Sequence, residues 1–454
     1  MGGRRGGDTN IGGLSHPETD PGLKPGEGRP RWGPAERGVL SGASKQPAGG
    51  CLPQGGFTPP EDVQKNWDPM GVLPPWEEGR NMGNRIRLFT WKDPYDTAGT
   101  EELFVSAMRD NCAFHYAHCP EYRAILDHFG FRPDLLRTTA DLSRLPVLPT
   151  LYFKSHQIFS VPERSMLIKA TSSGTRGKKS VIGFELGGLW SGFHMVWRIL
   201  RYHHFLSAVP TNYLILGYQP HRSNQTAVAK TATGYTYITP AIHREYALKY
   251  RDGGYQVDFD GLIRTLEKYS RSRFPTRFMG FPAYTYFLME ELERRGLRYP
   301  LPKNSKIFLG GGWKQFYREK VDKETFYAKA WDRFGIPEEH IYESFGAVEH
   351  PIYYADCKYH HFHVPVYSRV IIRDVRTLEP VPNGAVGLVN LLTPMLHAVP
   401  VLSIMTDDLG ILHDGETCPC GVKSPWLEII GRVGMADIKT CAAGADELRK
   451  GVGL

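Results

Sequence analysis

From about residue 98 the chain sets apolar residues at helical spacing. In TEELFVSAMRDNCAFHYAHC, Leu103, Met108, Phe114 and Tyr116 recur among polar neighbours, and PEYRAILDHFG repeats the rhythm after Pro120. Two helices are expected to open the folded part. Farther on, short apolar runs of strand length alternate with amphipathic stretches: SMLIKA before LGGLWSGFHMVWRIL, then NYLILGY, FDGLIRTLEKY before TRFMGF, AYTYFLMEELERRG before KIFLGGG, and HIYESFG. Strand and helix in alternation predict an α/β fold with a mostly parallel, helix-flanked sheet, because parallel neighbours need crossover connections. Beyond residue 365 the helical period fades. There VIIRDV, VGLVNLL and VPVLSIM, parted by the turn-rich TLEPVPNGA and HDGETCPCG, predict a β-rich subdomain.

Residues 1–60 hold 16 Gly and 9 Pro and follow no period, so a disordered tail is expected there. The expected organisation is this tail, an α/β core over 61–365, the β-rich subdomain over 366–440 and a terminal segment over 441–454. The net charge of +7 arises from 55 basic and 48 acidic residues without long like-charge runs, which argues against nucleic acid as a partner. Seven cysteines at uneven spacing do not form a disulfide framework, and a reducing, cytoplasmic setting is expected. No apolar run reaches the ~18 residues of a membrane span, so neither export nor insertion is expected.

The most informative loop follows SMLIKA: Thr171, Ser172, Ser173, Gly174, Thr175, Arg176, Gly177, Lys178, Lys179, Ser180. Close backbone approach at glycine, hydroxyl donors and cationic charge are what a polyphosphate needs. The mononucleotide GxxxxGK[ST] spacing is not met, since Lys179 follows Lys178. On these residues alone, a plain Ser/Gly turn remains the alternative.

This loop resembles the phosphate loop of the adenylate-forming (acyl-CoA ligase-like) superfamily. Within it the chain most resembles the acyl-protein synthetases of the bacterial luciferase fatty-acid reductase complex, through FHYAHCPEYR, LPVLPTLYFKS, TSSGTRGKKS, IFLGGGWK, FGAVEH, HVPVY and MTDDLGI in that order. The resemblance implies the large-domain fold of that superfamily, with ATP and Mg²⁺ as cofactors. It implies that Thr171 to Lys179 hold the β- and γ-phosphates, with Lys179 as a catalytic cation. It places adenine against Gly310, Gly311 and Gly312, next to Ser344 and Phe345, Mg²⁺ on Glu349, and the ribose on Asp408, with Arg432 also in the ATP site. Val348 and Asp407 stand where the superfamily has Thr and Gly. Only 22 residues follow Arg432, so the usual C-terminal lysine domain is expected to be missing, as in the luciferase-associated synthetases.

The same resemblance makes Cys441 the acyl-carrying thiol, which passes its thioester to a partner acyl reductase. A thiolate suits the task as nucleophile and as leaving group, and Ala442, Ala443 and Gly444 leave it accessible. Cys418 and Cys420 on one turn, with Cys357 and His363 on another, could complete a closed structural zinc site. That CPCG turn resembles phenylacetate-CoA ligase-like enzymes instead, and unligated thiols are the competing account. Phe278, Phe281, Tyr284, Tyr286 and Phe287 stand where the superfamily walls its acyl pocket, although aromatics at helical spacing also suit plain core. The reading is an ATP-dependent acid–thiol ligase for a fatty or aryl acid. A phenylacetate-type CoA ligase and a zinc-stabilised binding subunit without turnover stay open beside it.

Overall fold

The computed structural model describes residues 83–172, 180–222, 224, 233–237, 239–313 and 320–432. The tail over 1–60, most of the phosphate loop and Cys441 lie outside them. The described chain opens with helices α1 (Asn84–Phe89), α2 (Glu101–His118) and α3 (Pro120–His128). α2 buries Phe104, Val105, Met108, Cys112 and His115, a stripe at helical spacing. Cys119 is extended between α2 and α3, and Pro120 at the first position of α3 forbids a continuous helix.

Next come β1 (Leu148–Pro149), α4 (Tyr152–Ser155), β2 (Ile168–Thr171), β3 (Val181–Phe184), α5 (Leu186–Tyr202) and β4 (Thr211–Tyr218). They are followed by β5 (Ala241–Arg251), β6 (Gly254–Val257), α6 (Phe259–Ser270), β7 (Thr276–Gly280), α7 (Pro282–Arg294), β8 (Lys306–Gly310) and α8 (Lys323–Phe334). The chain then runs through β9 (Ile341–Ala347), β10 (His350–Ala355), β11 (Phe362–His363), β12 (Arg369–Arg373), β13 (Val386–Leu392), β14 (Ser403–His413) and β15 (Trp426–Arg432).

A seven-stranded sheet has the order β10-β9-β8-β7-β4-β5-β6. Its five central strands are parallel, and antiparallel β10 and β6 close the two edges. Leu214, Leu216, Phe278 and Ile307 point from one face into a core with α6, α7 and α8. Neighbours such as Tyr213, Ile215 and Met279 point to the other face. The expected parallel α/β sheet is therefore present, with one correction. β2 pairs antiparallel with β3 in a separate hairpin instead of joining the parallel sheet. The four residues VIGF of β3 are too few to stand out as a strand in the sequence, so SMLIKA read as a strand leading straight into a helix.

The second large sheet is mostly antiparallel, in the order β11-β15-β14-β13-β12, and β1 pairs with the first part of β14. β1 comes from Leu148–Pro149, so this layer is not a single stretch of sequence. Glu185, at the start of α5, binds Arg85 at 2.9 Å and accepts from the His397 and Ala398 amides at 3.0 Å each, tying α1 and α5 to the chain just beyond β13.

Candidate functional site: an adenylate cleft and a Cys/His cluster

Ligands in open parallel sheets lie beyond the carboxyl ends of the strands. Gly310 ends β8 there, paired with Ser344 of β9. The Ser344 hydroxyl donates to the Leu309 carbonyl at 3.1 Å, and a Cβ on Gly310 would come within 2.9 Å of that hydroxyl. Gly311 and Gly312 follow with φ of 77° and 64°, left-handed values that favour glycine. These glycines hold backbone open beside Ser344. Phe345 is half-buried, its ring 5.7 Å from Tyr354 and 6.0 Å from Phe362, so much of it is committed to core packing.

Thr171 ends β2, and Ser172 forms the neck of the phosphate loop. The Ser172 amide donates to the Ser180 carbonyl at 3.1 Å, while the Ser180 amide donates to the Ser172 hydroxyl at 3.0 Å. Ser173, Gly174, Thr175, Gly177, Lys178 and Lys179 lie outside the described residues, as does Cys441.

Glu349 lies in the turn between β9 and β10 and is only 5% exposed. Burial raises its carboxyl pKa and Asp407 adds to that, whereas the Ser180 hydroxyl and the Lys154 charge work in the opposite direction. Asp408 of β14 is cross-strand partner to Arg432 of β15, whose Nε donates to Asp408 Oδ1 at 3.1 Å. Arg432 also lies in the field of Asp407 and Glu349, and the Thr150 hydroxyl donates to Asp407 at 3.3 Å. The structure thus gathers Ser180, Glu349, Asp408 and Arg432 from separate parts of the chain. A buried carboxylate among acidic neighbours is a suitable donor for a hard divalent cation, whose charge would reverse the cost of burial. Lys154 is a member of this group that the sequence reading did not single out. It sits in the LYFKS segment, where a basic residue just after two aromatics was the available signal.

The five aromatics expected at the acyl pocket divide. Phe278 is 1% exposed and packs on Phe334 in the helix-side core. Phe281 meets Tyr218 and Tyr284, and Tyr286 meets Trp313. A small cavity of about 20 Å³ lies on the opposite face of β7, against Arg277 and Met279. Strand alternation is the reason: residues next to one another in RFMGF face opposite ways.

Cys357, His363, Cys418 and Cys420 converge, with one ligand atom from each lying within 4.8 Å of all the others. Cys357 follows β10, His363 sits on β11, and the two other cysteines belong to the turn joining β14 to β15. Cys357 Sγ and Cys418 Sγ are 3.8 Å apart, too far for a disulfide and close to the edge of a tetrahedron built on Zn–S bonds of about 2.3 Å. His363 Nδ1 contacts the Ser424 carbonyl at 2.9 Å, which leaves Nε2 directed at Cys420 Sγ, 3.1 Å away. Amides of Tyr359 and Val422 donate to the Cys357 and Cys420 sulfurs at 3.4 Å. Without a cation, burial pushes the Cys418 thiol up to about 12 and raises Cys357 as well. Two raised thiols beside an oriented imidazole are a donor set for a soft or borderline metal. Four protein donors leave no open position, so such a site would be structural.

Fold and cleft together define an adenylate-forming, acid-activating ligase. A solved 2-hydroxyisobutyryl-CoA ligase in its postadenylation state, in complex with 2-HIB-AMP, superposes with a TM-score of 0.58 at 16% identity, covering 80% of this chain and 72% of that one. The sequence profile described as "Acyl-protein synthetase, LuxE" matches residues 89–448, and the chain belongs to that family. The long-chain-fatty-acid–luciferin-component ligase of Aliivibrio fischeri is 26% identical over 356 residues, 75% of this chain and 87% of the relative. A phenylacetate-coenzyme A ligase of Aromatoleum evansii is 24% identical over 334 residues, 70% of this chain and 68% of the relative. The protein is an acid–thiol ligase that works through an acyl-adenylate. Among the described residues no helix is long and apolar enough to cross a membrane.

Proposed function

We propose that the protein activates a fatty or aryl carboxylic acid with MgATP, captures the acyl group on Cys441, and hands it as a thioester to a partner acyl reductase. The observation that carries this reading is the meeting of Glu349, Asp408 and Arg432 beside the neck of the phosphate loop at Ser180. Asp408 accepts from the ribose hydroxyls and is held in place by Arg432. Gly310 to Gly312 receive the adenine, and the loop from Thr171 to Lys179 binds the β- and γ-phosphates. Glu349 would hold Mg²⁺, which supplies charge neutralisation for the phosphates when bound. The substrate carboxylate attacks the α-phosphorus, and the bond to the bridging oxygen breaks to release pyrophosphate. The Cys441 thiolate then attacks the acyl carbonyl of the adenylate and expels AMP. Zinc on Cys357, His363, Cys418 and Cys420 would clamp the β14–β15 turn to the chain after β10, with no part in the chemistry.

The test is intact-protein mass after incubation with MgATP and a panel of fatty and aryl acids, for wild type and Cys441→Ala. A hydroxylamine-labile, acyl-sized gain in wild type alone is expected. Acyl-AMP released without any gain in mass, together with product formation that requires CoA, would establish the CoA-ligase reading instead. No pyrophosphate exchange with any acid would leave a binding subunit.

A further inference from the structure

Two hairpins carry Ser344, Phe345, Glu349, Asp408 and Arg432, and both also reach the Cys/His cluster. β9 and β10 hold Ser344 and Phe345 along one strand and Glu349 in their turn, and β10 runs out through Asp356 into Cys357. β14 and β15 pair Asp408 with Arg432 at one end and carry Cys418 and Cys420 in the turn at the other. β10 belongs to the seven-stranded sheet, whereas β11, which bears His363, pairs with β15 of the second sheet. The cluster therefore lies where the chain crosses from one sheet to the other.

Two of the ligands stand next to residues that hold β9 on either side of Ser344. Beside Cys357, Asp356 is fully buried and grips Glu343 twice: its amide donates to the Glu343 carbonyl at 3.1 Å, and the Glu343 amide donates to Asp356 Oδ1 at 2.9 Å. Beside His363, the Phe362 ring lies 6.0 Å from that of Phe345. Ser344 itself is the register partner of Ala355. Asp356 Oδ2 meets His360 Nδ1 at 2.9 Å, and His360, at a left-handed φ of 58°, stacks on Tyr327 of α8. A non-glycine residue in that conformation is kept there only by its surroundings. Cys357 and His363 bracket this loop, so drawing them onto one metal ion would hold it and, through Asp356, hold Glu343.

We propose that metal binding at the cluster and nucleotide binding in the cleft are thermodynamically coupled, and that Asp356 is the positioning residue through which the coupling passes. This rests on the metal and adenylation readings above and joins them. With the four ligands drawn together, Asp356 fixes Glu343 and hence its neighbour Ser344 at the adenine, while the turn of Cys418 and Cys420 fixes the hairpin that carries Asp408 at the ribose. Both ligands then favour the same arrangement of the two hairpins, so filling either site tightens the other by the same factor. The metal makes and breaks no bond of the substrate.

The experiment uses the full-length protein with zinc and AMP, which fills the adenine and ribose positions without the triphosphate that would itself bind zinc. Zinc affinity is read by competition with a chromogenic chelator, with and without saturating AMP, and AMP affinity by calorimetry on zinc-loaded and chelator-stripped protein. AMP is expected to tighten zinc by about tenfold, and stripping to weaken AMP by the same factor. Asp356→Ala is expected to keep zinc, since all four ligands remain, but to bring the factor close to one. Asp356→Asn, which keeps an oxygen for the Glu343 amide, is expected to retain most of it. The wild-type competition decides the matter if the alanine variant or the stripped protein fails to fold. Zinc and AMP binding independently of one another would overturn the inference and leave both readings standing, and full coupling in Asp356→Ala would overturn the role of Asp356. Failure to bind zinc would remove the inference together with the metal reading, and failure to bind AMP would remove it together with the nucleotide site.

Discussion

Asp408 of β14 and Arg432 of β15 face one another as cross-strand partners, joined by a 3.1 Å charge-assisted hydrogen bond. The Arg432 side chain is 70% exposed, so the pair adds under about 1 kcal/mol to stability. Its role is to orient the Asp408 carboxylate. Asp408→Ala is expected to raise the KM for ATP by about tenfold or more, while Tm shifts by only a few degrees. Exchange kinetics at varied ATP check this, and an unchanged KM would remove Asp408 from the nucleotide site.

The Cys/His cluster predicts a metal-dependent fold. Cys418→Ser is expected to reduce bound zinc from near one equivalent to near none and to cost about 4 kcal/mol or more, the range associated with loss of a structural metal. Cys112→Ser, at a buried cysteine of α2, serves as the control and should keep its zinc. Elemental analysis and denaturant melts of the same preparations decide it. Wild-type protein purified without zinc, yet as stable as the zinc-loaded form, would contradict it.

His115 predicts an acid-sensitive term in stability. It is fully buried between Ser160, at 2.6 Å, and the Leu396 carbonyl, at 3.0 Å, and burial lowers its pKa to about 3. The unfolded chain takes up this proton near pH 6.5, whereas the folded chain does so only near 3. The contribution is therefore fully present above about 6.5 and is lost as pH falls, by up to about 1.4 kcal/mol per unit. Between pH 7 and 5 this amounts to about 2 kcal/mol. His115→Gln lacks the term, so its urea midpoint should fall less over that interval. Parallel profiles for the two proteins would show that His115 is not buried neutral.

Local chemistry was legible wherever it repeats at short range. The stripe of α2, the stop at Pro120 and the apolar runs of β4, β7 and β8 follow from side-chain period and backbone restriction, which act over a few residues. α8 was equally readable in principle: Asp322 accepts from the Thr325 amide at 2.7 Å to start it, and Gly335 ends it at φ 63°. β5 was harder, because AIHREYALKYR lies near the sheet edge and carries charges that break the apolar pattern. The four donors of the Cys/His cluster were identifiable by residue type and by their pairing on two turns.

By itself, then, the sequence determined the element types, the family and the identity of the candidate metal ligands, because each is written in neighbouring residues. Only the tertiary structure decided what long-range register assembles. It set β2 in a hairpin, placed β1 beside β14, and brought Glu349 into the field of Asp407 and Arg432. It also turned Phe278 into the core while leaving Arg277 in the cavity. The physical reason is that a strand sends successive side chains to opposite faces, and which face meets a ligand depends on the helices and strands packed against it.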